Sequence, residues 1–203
     1  MIAIIDYGMG NLASVKNAFL KLGYEAETTC RPEEILQADR VVLPGVGAFA
    51  DAIANIRSLG LDRTIHELVE RGIPLLGICL GLQLLFTVSY ENGLHQGLDI
   101  IPGQVKKFQL PPQYKVPQIG WNSIEVNPRS QLLAGIPSGS YFYFVHSYYV
   151  VPEDEVVVAA RTDYGLKFVS AIERGNLFAT QFHPEKSSDL GLKILKNFGE
   201  MPL

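Results

Sequence analysis

From the first residue to about Ser89, short apolar runs alternate with longer amphipathic stretches. The apolar runs have strand length and cover residues 2–7, 24–28, 40–43 and 74–79. The stretches between them repeat apolar positions every three or four residues, which predicts helices over 12–22, 49–57 and 61–71 and another that begins at Pro32. This alternation predicts an α/β fold with a doubly wound, mostly parallel central sheet and helices on both faces.

From Gly93 onward the pattern changes to short strand-like runs separated by turns that are rich in proline. These runs cover residues 105–108, 121–126, 141–151, 156–162, 167–173 and 177–182, and a last helix is predicted at 190–198. They predict an antiparallel or mixed sheet added to the same core. Because no linker, repeat or low-complexity segment interrupts the chain, we predict that residues 1–203 form a single domain.

The composition is that of an ordinary globular enzyme. The 203 residues are 47% hydrophobic and 19% charged, which argues against disorder, and the net charge of -4 argues against a nucleic-acid-binding surface. No apolar run approaches the roughly 18 residues of a membrane span, and the N-terminus lacks a basic signal-peptide segment. The two cysteines, Cys30 and Cys79, are too few for a disulfide framework and lack metal-ligand spacing. We therefore expect a cytoplasmic protein without a metal site.

Cys79 stands where an apolar strand pattern changes into a helix pattern. Gly77 and Gly81 lie two residues to either side, which is the spacing of a nucleophile elbow with cysteine in place of serine. In such a turn the reactive side chain crowds the backbone on both sides, so residues without Cβ are needed there. The N–H groups of the following helix turn, beginning with Leu80, favour a thiolate and a developing oxyanion. A buried, inert thiol is the alternative interpretation of Cys79.

Two glycine-containing loops follow earlier strands of the predicted sheet. The first, Gly8-Met9-Gly10-Asn11, lacks the third glycine of a dinucleotide-binding motif, so we interpret it as a tight turn. The second, Pro44-Gly45-Val46-Gly47, is either a simple turn or a loop that brings backbone N–H groups close to a ligand. Because ligands bind at the carboxyl ends of strands in such sheets, both loops are expected to meet Cys79 at one edge.

Of the four histidines, His183 is the best partner for Cys79. It closes a predicted strand and is followed by Pro184 and Glu185, so one ring nitrogen can bind the carboxylate while the other faces a nucleophile. His66 has the surroundings of a solvated helix face, and His95 those of a loop. His146 lies in a strand-like run and is interpreted as a structural or pocket-wall residue.

Segments along the whole chain resemble a known family. Residues 77–83 and 181–185 resemble the class I (triad) glutamine amidotransferases. More narrowly, five segments are similar to the glutaminase subunits of imidazole glycerol phosphate synthase. These segments are Asp6-Tyr7-Gly8-Met9-Gly10-Asn11, Pro44-Gly45-Val46-Gly47, Pro117-Gln118-Ile119-Gly120-Trp121-Asn122, Tyr143-Phe144-Val145-His146-Ser147-Tyr148 and His183-Pro184-Glu185-Lys186-Ser187.

The resemblance implies that the chain hydrolyses L-glutamine through a glutamyl thioester. Cys79 would be the nucleophile, His183 the proton carrier and Glu185 the residue that orients His183. The further positions implied are oxyanion donors at Leu80, Val46 and Gly47 and glutamine-binding residues at Gln83, Gly47, Ser147 and Tyr148.

The resemblance also implies a heterodimer with a (βα)8-barrel cyclase subunit, to which ammonia passes for the synthesis of imidazole glycerol phosphate. Met9, Trp121, Tyr143 and Lys186 match interface positions near the ammonia passage, although Trp121 and Tyr143 also fit plain aromatic packing. No cofactor, nucleic acid or membrane is implied. Two alternatives remain at this point: the glutaminase subunit of anthranilate or pyridoxal phosphate synthesis, and an elbow protein with other chemistry or none.

Overall fold

The computed structural model describes residues 1–202, which form one large mixed sheet, one small antiparallel sheet and the helices that cover them. The helices are α1 (Leu12–Lys21), α2 (Pro32–Leu36), α3 (Phe49–Ser58), α4 (Leu61–Glu70), α5 (Leu80–Leu84) and α6 (Ser188–Gly199). The strands of the first half are β1 (Ile2–Ile5), β2 (Ala26–Thr29), β3 (Arg40–Gly45), β4 (Leu75–Cys79), β5 (Phe86–Ser89) and β6 (His95–Gln96). Those of the second half are β7 (Ile101–Lys107), β8 (Gln118–Ser123), β9 (Glu125–Val126), β10 (Tyr141–His146), β11 (Tyr148–Pro152), β12 (Val158–Asp163), β13 (Lys167–Arg174) and β14 (Leu177–Thr180).

The parallel part of the large sheet has the strand order β2-β1-β3-β4-β14. Along β1, Ile2 and Ile4 pack on the face that α1 and α6 cover, whereas Ala3 and Ile5 pack on the face covered by α2 to α5. Both faces are therefore buried, as the continuous apolar runs of the sequence require. The prediction of a doubly wound sheet with helices on both faces is confirmed.

Beyond β14 the large sheet continues through antiparallel neighbours, in the order β13-β11-β7, and ends with β5 and β6. Strands β8 and β10 form a separate antiparallel pair, so the predicted antiparallel or mixed addition is also confirmed. The last strand of the chain, β14, lies beside β4 in the middle of the sheet. Because this pairing joins the two halves in one core, we propose a single domain.

Three local expectations were wrong. The helix pattern after Cys79 continues to Phe86 in the sequence, but α5 ends at Leu84, because the chain enters the sheet at Phe86, where β5 pairs with β7. The run at 141–151 is broken at Ser147, because β10 pairs with β8 while β11 joins the large sheet. His95 lies in a two-residue strand rather than a loop. His66 is exposed on α4, as expected. Within residues 1–202, no helix combines the length and apolar character that crossing a membrane requires.

Candidate active site

Cys79 is the last residue of β4, and α5 begins at the next residue. Its backbone has φ 56° and ψ -107°, a sparsely populated conformation that the surrounding structure must impose. A Cβ on Gly81 would lie 1.9 Å from the carbonyl oxygen of Leu43, and a Cβ on Gly77 would lie 3.0 Å from the backbone of Gly81. Glycine on both sides therefore allows the helix turn to press against the sheet, which presents the thiol at the carboxyl edge.

His183 reaches the same edge because β14 runs parallel to β4. Its Nδ1 lies 2.8 Å from Oε1 of Glu185, and the two side chains are only 2% and 1% exposed. A buried carboxylate accepts hydrogen bonds, so Nδ1 carries the proton and donates to Glu185. This contact leaves Nε2 of His183 for the thiol, which lines the same cavity.

The electrostatics of this cluster favour a charged imidazole. Burial by itself lowers the pKa of His183, but the Cys79 and Glu185 side chains more than offset this effect and raise it to about 10. The imidazole is thereby charged near neutral pH, next to the thiol. An imidazolium at this position holds the proton that a departing amine needs.

A cavity of about 330 Å³ opens over the thiol, a volume that suits a small polar ligand. It is lined by eight of the residues predicted from the sequence, namely Val46, Gly47, Cys79, Leu80, Gln83, Ser147, Tyr148 and His183. Glu185 lies behind His183 and does not line it. Met9 packs against Gly47, since its Cε would be 2.6 Å from a Cβ placed there. In the described part of the chain, no group of three or more His, Cys, Asp or Glu side chains is arranged to hold a metal.

The cavity wall also includes His146, which the sequence indicates to be a structural or pocket-wall residue. Its ring is buried and makes contacts through both nitrogens: Nδ1 lies 2.7 Å from the carbonyl oxygen of Tyr148, and Nε2 lies 3.1 Å from the side chain of Gln118. Burial lowers the pKa of His146 to about 4, so the ring is neutral at pH 7. A carbonyl oxygen only accepts, so the single ring proton is on Nδ1. Nε2 is then an acceptor, so the Gln118 amide must present its amino group, not its oxygen, to this nitrogen.

His146 predicts a specific loss of stability in acid. Its pKa falls from 6.5 to about 4 on folding, so between these values the unfolded chain binds a proton that the folded chain does not. The free energy of unfolding should therefore decrease by about 3 kcal/mol as the pH falls from 6.5 to 4. His183 adds nothing to this slope, because its raised pKa loses stability only as the pH rises above 6.5 towards 10. Urea unfolding at several pH values measures the slope.

The matched variant for this measurement is His146→Gln, which keeps a polar side chain and removes the titration. It should flatten the dependence of the unfolding free energy on pH between 6.5 and 4. An unchanged slope in the variant would show that another group causes the acid sensitivity.

Of the predicted interface residues, Trp121 and Tyr143 lie on the outer face of the β8–β10 pair, Lys186 follows His183 in a short turn, and Met9 packs against Gly47. Ile119, Trp121 and Tyr141 are 63%, 51% and 59% exposed, which is unusual for apolar side chains on one face of a sheet. The rings of Trp121 and Tyr143 form a T-shaped contact with centroids 6.3 Å apart. The ammonium of Lys186 lies 6.0 Å from the centre of the Tyr143 ring.

Three residues near the thiol were given no role from the sequence. Gln181 donates to the Cys79 sulfur, and Glu91 lines the cavity. The Tyr7 hydroxyl donates to the carbonyl oxygen of Pro44, the first residue of the loop at 44–47, which we call the glycine loop. Burial and the charge at Cys79 raise the pKa of Tyr7, so this hydroxyl stays protonated. No local sequence signal marks these residues, because their positions depend on which strands become neighbours.

Comparisons with known proteins agree with this geometry. Residues 3–201 match the model of the glutamine amidotransferase class-I family. A crystal structure of a glutamine amidotransferase superposes with a TM-score of 0.76 at 21% identity, covering 98% of this chain and 100% of that one. The fold and the match over nearly the whole chain establish that this is a class-I glutamine amidotransferase.

Two similar proteins show more narrowly to which group of amidotransferases the chain belongs. The imidazole glycerol phosphate synthase subunit HisH of Moorella thermoacetica is 60% identical over 200 residues, which is 98% of this chain and 94% of that protein. The protein of the same name from Syntrophotalea carbinolica is 56% identical over 206 residues, which is 99% and 100% of the two chains. The chain belongs to this family of HisH subunits, and the resemblance seen in the sequence is confirmed.

Proposed function

We propose that this chain is the glutaminase subunit of an imidazole glycerol phosphate synthase and hydrolyses L-glutamine through Cys79, His183 and Glu185. The observation that carries the assignment of these residues is the buried His183–Glu185 pair beside the elbow thiol at the sheet edge. The family of HisH subunits supports the reaction and the enzyme to which the chain contributes.

The proposed reaction passes through a covalent intermediate. The Cys79 thiolate attacks the side-chain amide carbon of glutamine, and the C=O electron pair moves onto the oxygen. The C–N bond then breaks as the His183 imidazolium gives its proton to the nitrogen, which releases ammonia and leaves a glutamyl thioester. His183 next takes a proton from water as the water attacks the thioester, and glutamate and the thiolate are released. Glu185 holds His183 in the required tautomer and stays ionised.

We assign the oxyanion donors to the backbone N–H groups of Leu80 and of Val46 or Gly47. All three residues line the cavity, Leu80 from the start of α5 and Val46 and Gly47 from the loop after β3. Since α5 has only five residues, stabilisation comes from these individual N–H groups rather than from a long helix dipole. Val46 is 39% exposed, so the glycine loop has room to adjust when a partner covers it.

We assign glutamine binding to Gln83, Gly47, Ser147 and Tyr148, all of which line the cavity. The amino group of Gln83 donates to the carbonyl oxygen of Tyr148, which leaves the side-chain oxygen of Gln83 for the substrate. Glu91 adds the only carboxylate among the described lining residues, and its Oε2 is fixed by the backbone N–H of Phe49. Its charge is suited to the α-ammonium group of glutamine.

The exposed face of the β8–β10 pair is the surface we assign to the partner, a (βα)8-barrel cyclase subunit in a heterodimer. Val145 lines the cavity and pairs with Ile119, so the exposed face is continuous with the cavity. We propose that ammonia leaves past Met9, Trp121, Tyr143 and Lys186 and enters the cyclase, which makes imidazole glycerol phosphate and aminoimidazole carboxamide ribonucleotide in histidine biosynthesis. The backbone N–H of His183 donates to the carbonyl oxygen of Tyr143, which links this surface to the triad.

We place the protein in the cytoplasm. Both cysteines are free, Cys30 at the surface and Cys79 in the cavity wall, and the mechanism needs the second as a thiol. A reducing compartment keeps such thiols available.

The proposed function predicts that glutamate release is slow for the isolated chain and fast in the complex. Without the partner the glycine loop is not held with its donors towards the oxyanion, and one such donor contributes about 10²-fold to 10³-fold. We therefore expect a barrel cyclase carrying its nucleotide ligand to stimulate glutamate release by about 10²-fold or more. Glutamate is measured with an enzymatic assay at saturating glutamine.

The control in this experiment is Trp121→Ala, which removes the large exposed ring without touching the cavity. This variant should need a higher cyclase concentration for the same stimulation, because interface aromatics carry much of the binding energy. Stimulation by a different synthase subunit, but not by the cyclase, would show that the proposed partner is wrong. Fast hydrolysis by the isolated chain would contradict the gating by the loop.

A further inference from the structure

A buried amide contacts the proposed nucleophile and has no part in the mechanism above. Nε2 of Gln181 lies 3.7 Å from the sulfur of Cys79, within hydrogen-bond range for sulfur, and Gln181 is completely buried. It follows β14 directly, and its backbone N–H donates to the carbonyl oxygen of Ser170. The backbone is thus held by the sheet while the side chain points at the thiol. Burying an amide is unfavourable unless its hydrogen bonds are satisfied. The residues around Gln181 must therefore provide partners for its amide group.

The surroundings fix which end of this amide faces the sulfur. Nε2 of Gln83 makes two contacts, at 3.1 Å to the carbonyl oxygen of Tyr148 and at 3.1 Å to Oε1 of Gln181. Because an amide nitrogen only donates, its two hydrogens account for both contacts, and Gln181 must present its oxygen to Gln83. The amino group of Gln181 is therefore the end that faces Cys79.

The orientation of Gln83 is fixed in turn by the carbonyl oxygen of Tyr148, which can only accept a hydrogen bond. The Tyr148 carbonyl oxygen also accepts from Nδ1 of His146 at 2.7 Å, so its two lone pairs are occupied by His146 and Gln83. Each N–H hydrogen in this chain of hydrogen bonds has one acceptor, so the direction of every bond is determined. The chain ends in an N–H group aimed at the sulfur.

We infer that Gln181 is a catalytic residue of the glutaminase reaction, whose side-chain N–H stabilises the Cys79 thiolate by a direct hydrogen bond. A donor strengthens when its acceptor becomes charged, so the bond favours the thiolate over the thiol. A contact on the backbone acts in the opposite direction, because the carbonyl oxygen of Val145, 3.9 Å from the sulfur, can accept only from the protonated thiol. The hydrogen bond from Gln181 thus favours the thiolate, which is the reactive form of Cys79.

Other groups around the sulfur influence its charge, and the test must distinguish them from Gln181. The imidazolium of His183 also favours the thiolate, whereas neutral His146 and protonated Tyr7 carry no charge near pH 7. Glu91 lines the same cavity and disfavours a second negative charge. Since none of these groups is altered by a substitution at Gln181, a change in thiol titration there reports on the amide.

The test is the pH dependence of alkylation of Cys79 by chloroacetamide, a small uncharged electrophile that reacts with the thiolate. The experiment uses the full chain in a Cys30→Ser background, because Cys30 is an exposed free thiol that would also react. Gln181→Met removes the donor at similar volume and should raise the apparent pKa of the thiol by about one to two pH units. Gln181→Glu places a carboxylate there and should raise it further.

The matched control is Ser170→Ala, which removes a buried hydroxyl in the neighbouring strand that forms no hydrogen bond with the residues that the structure describes. Its thiol pKa should equal that of the Cys30→Ser background. An unchanged thiol pKa in Gln181→Met would overturn the inference. If that variant does not fold, an unchanged value in Gln181→Glu would do the same.

The inference about Gln181 rests on the proposed function, in which Cys79 is the nucleophile. The experiments can nevertheless refute either one without refuting the other. Alkylation measures the thiol pKa without glutamine or the partner. If Gln181→Met shifts the thiol pKa but the wild-type chain does not hydrolyse glutamine, the proposed function is refuted and the hydrogen bond from Gln181 to the thiolate is supported. In the complex with the cyclase, Gln181→Met should lower the rate of glutamate release at pH 7 by about tenfold, in line with a shift of one unit. If Gln181→Met instead keeps the full rate of glutamate release and the thiol pKa is unshifted, the role of Gln181 is refuted and the proposed function stands.

Discussion

Replacement of Cys79 by alanine is expected to abolish glutamine hydrolysis while the chain stays folded. The substitution deletes the attacking sulfur, and loss of a covalent nucleophile costs enzymes of this kind a factor of about 10⁴ or more in rate. The side chain is small and 6% exposed, so its removal should lower the free energy of unfolding by only about 1 kcal/mol. The substitution therefore has a large effect on the rate of the reaction and a small effect on the stability of the fold.

The measurement is glutamate release by the complex with the cyclase, together with urea unfolding of the isolated variant. Cys30→Ala is the matched control: its thiol is exposed and remote from the cavity lining, so this variant should keep the full rate. A Cys79→Ala rate above a few per cent of the wild-type rate would refute the nucleophile assignment.

The first half of the fold was predictable because its elements are decided locally. Strand β1 and helix α1 follow from an apolar run and a helical repeat, and both lie within a few residues of the predicted positions. The end of α5 was not predictable. Leu84, Leu85 and Phe86 are fully buried, and an apolar run of this kind suits a helix as well as a strand. Pairing of β5 with β7, which lies farther along the chain, decides between them.

The break at Ser147 has the same origin and matters more for the site. A continuous strand over 141–151 would satisfy the local pattern, but β10 and β11 belong to different sheets. The chain passes between them at the cavity, which places Ser147 and Tyr148 in its wall and brings the Tyr148 carbonyl oxygen between His146 and Gln83. Sequence patterns record which face of a strand is apolar; they do not record where a strand changes sheets.

The proposed triad could be located from the sequence because its spacing is imposed by backbone chemistry. Gly77 and Gly81 are required by the elbow, and Pro184 and Glu185 follow His183 within two positions. The supporting groups carry no such local requirement. Gln181 and Glu91 reach the thiol and the cavity only because β14 lies beside β4 and because the loop after β5 returns to α3. Their roles become visible only when hydrogen bonds are followed atom by atom.

The elbow itself provides the second prediction with a large effect, the substitution Gly81→Ala. The new Cβ would lie 1.9 Å from the carbonyl oxygen of Leu43 and 3.0 Å from its carbon, which are backbone atoms of β3 that no rotamer change can move. Either α5 or β3 must shift to relieve the overlap. We expect the free energy of unfolding to fall by about 3 kcal/mol or more, at the upper end of what overpacking costs.

Activity should fall beyond what the loss of stability explains, because α5 carries Leu80 and Gln83, and a displacement of about 1 Å at a catalytic group costs about 10²-fold in rate. The rate of glutamate release is therefore measured under conditions in which the variant is fully folded. Gly60→Ala is the control, since its Cβ would meet no atom within 4 Å; the φ of Gly60 is 68° and left-handed, whereas that of Gly81 is not. This control should lose only about 1–2 kcal/mol of stability and keep its rate. If Gly81→Ala were as stable and active as the control, close packing of α5 on β3 would not be what positions the thiol.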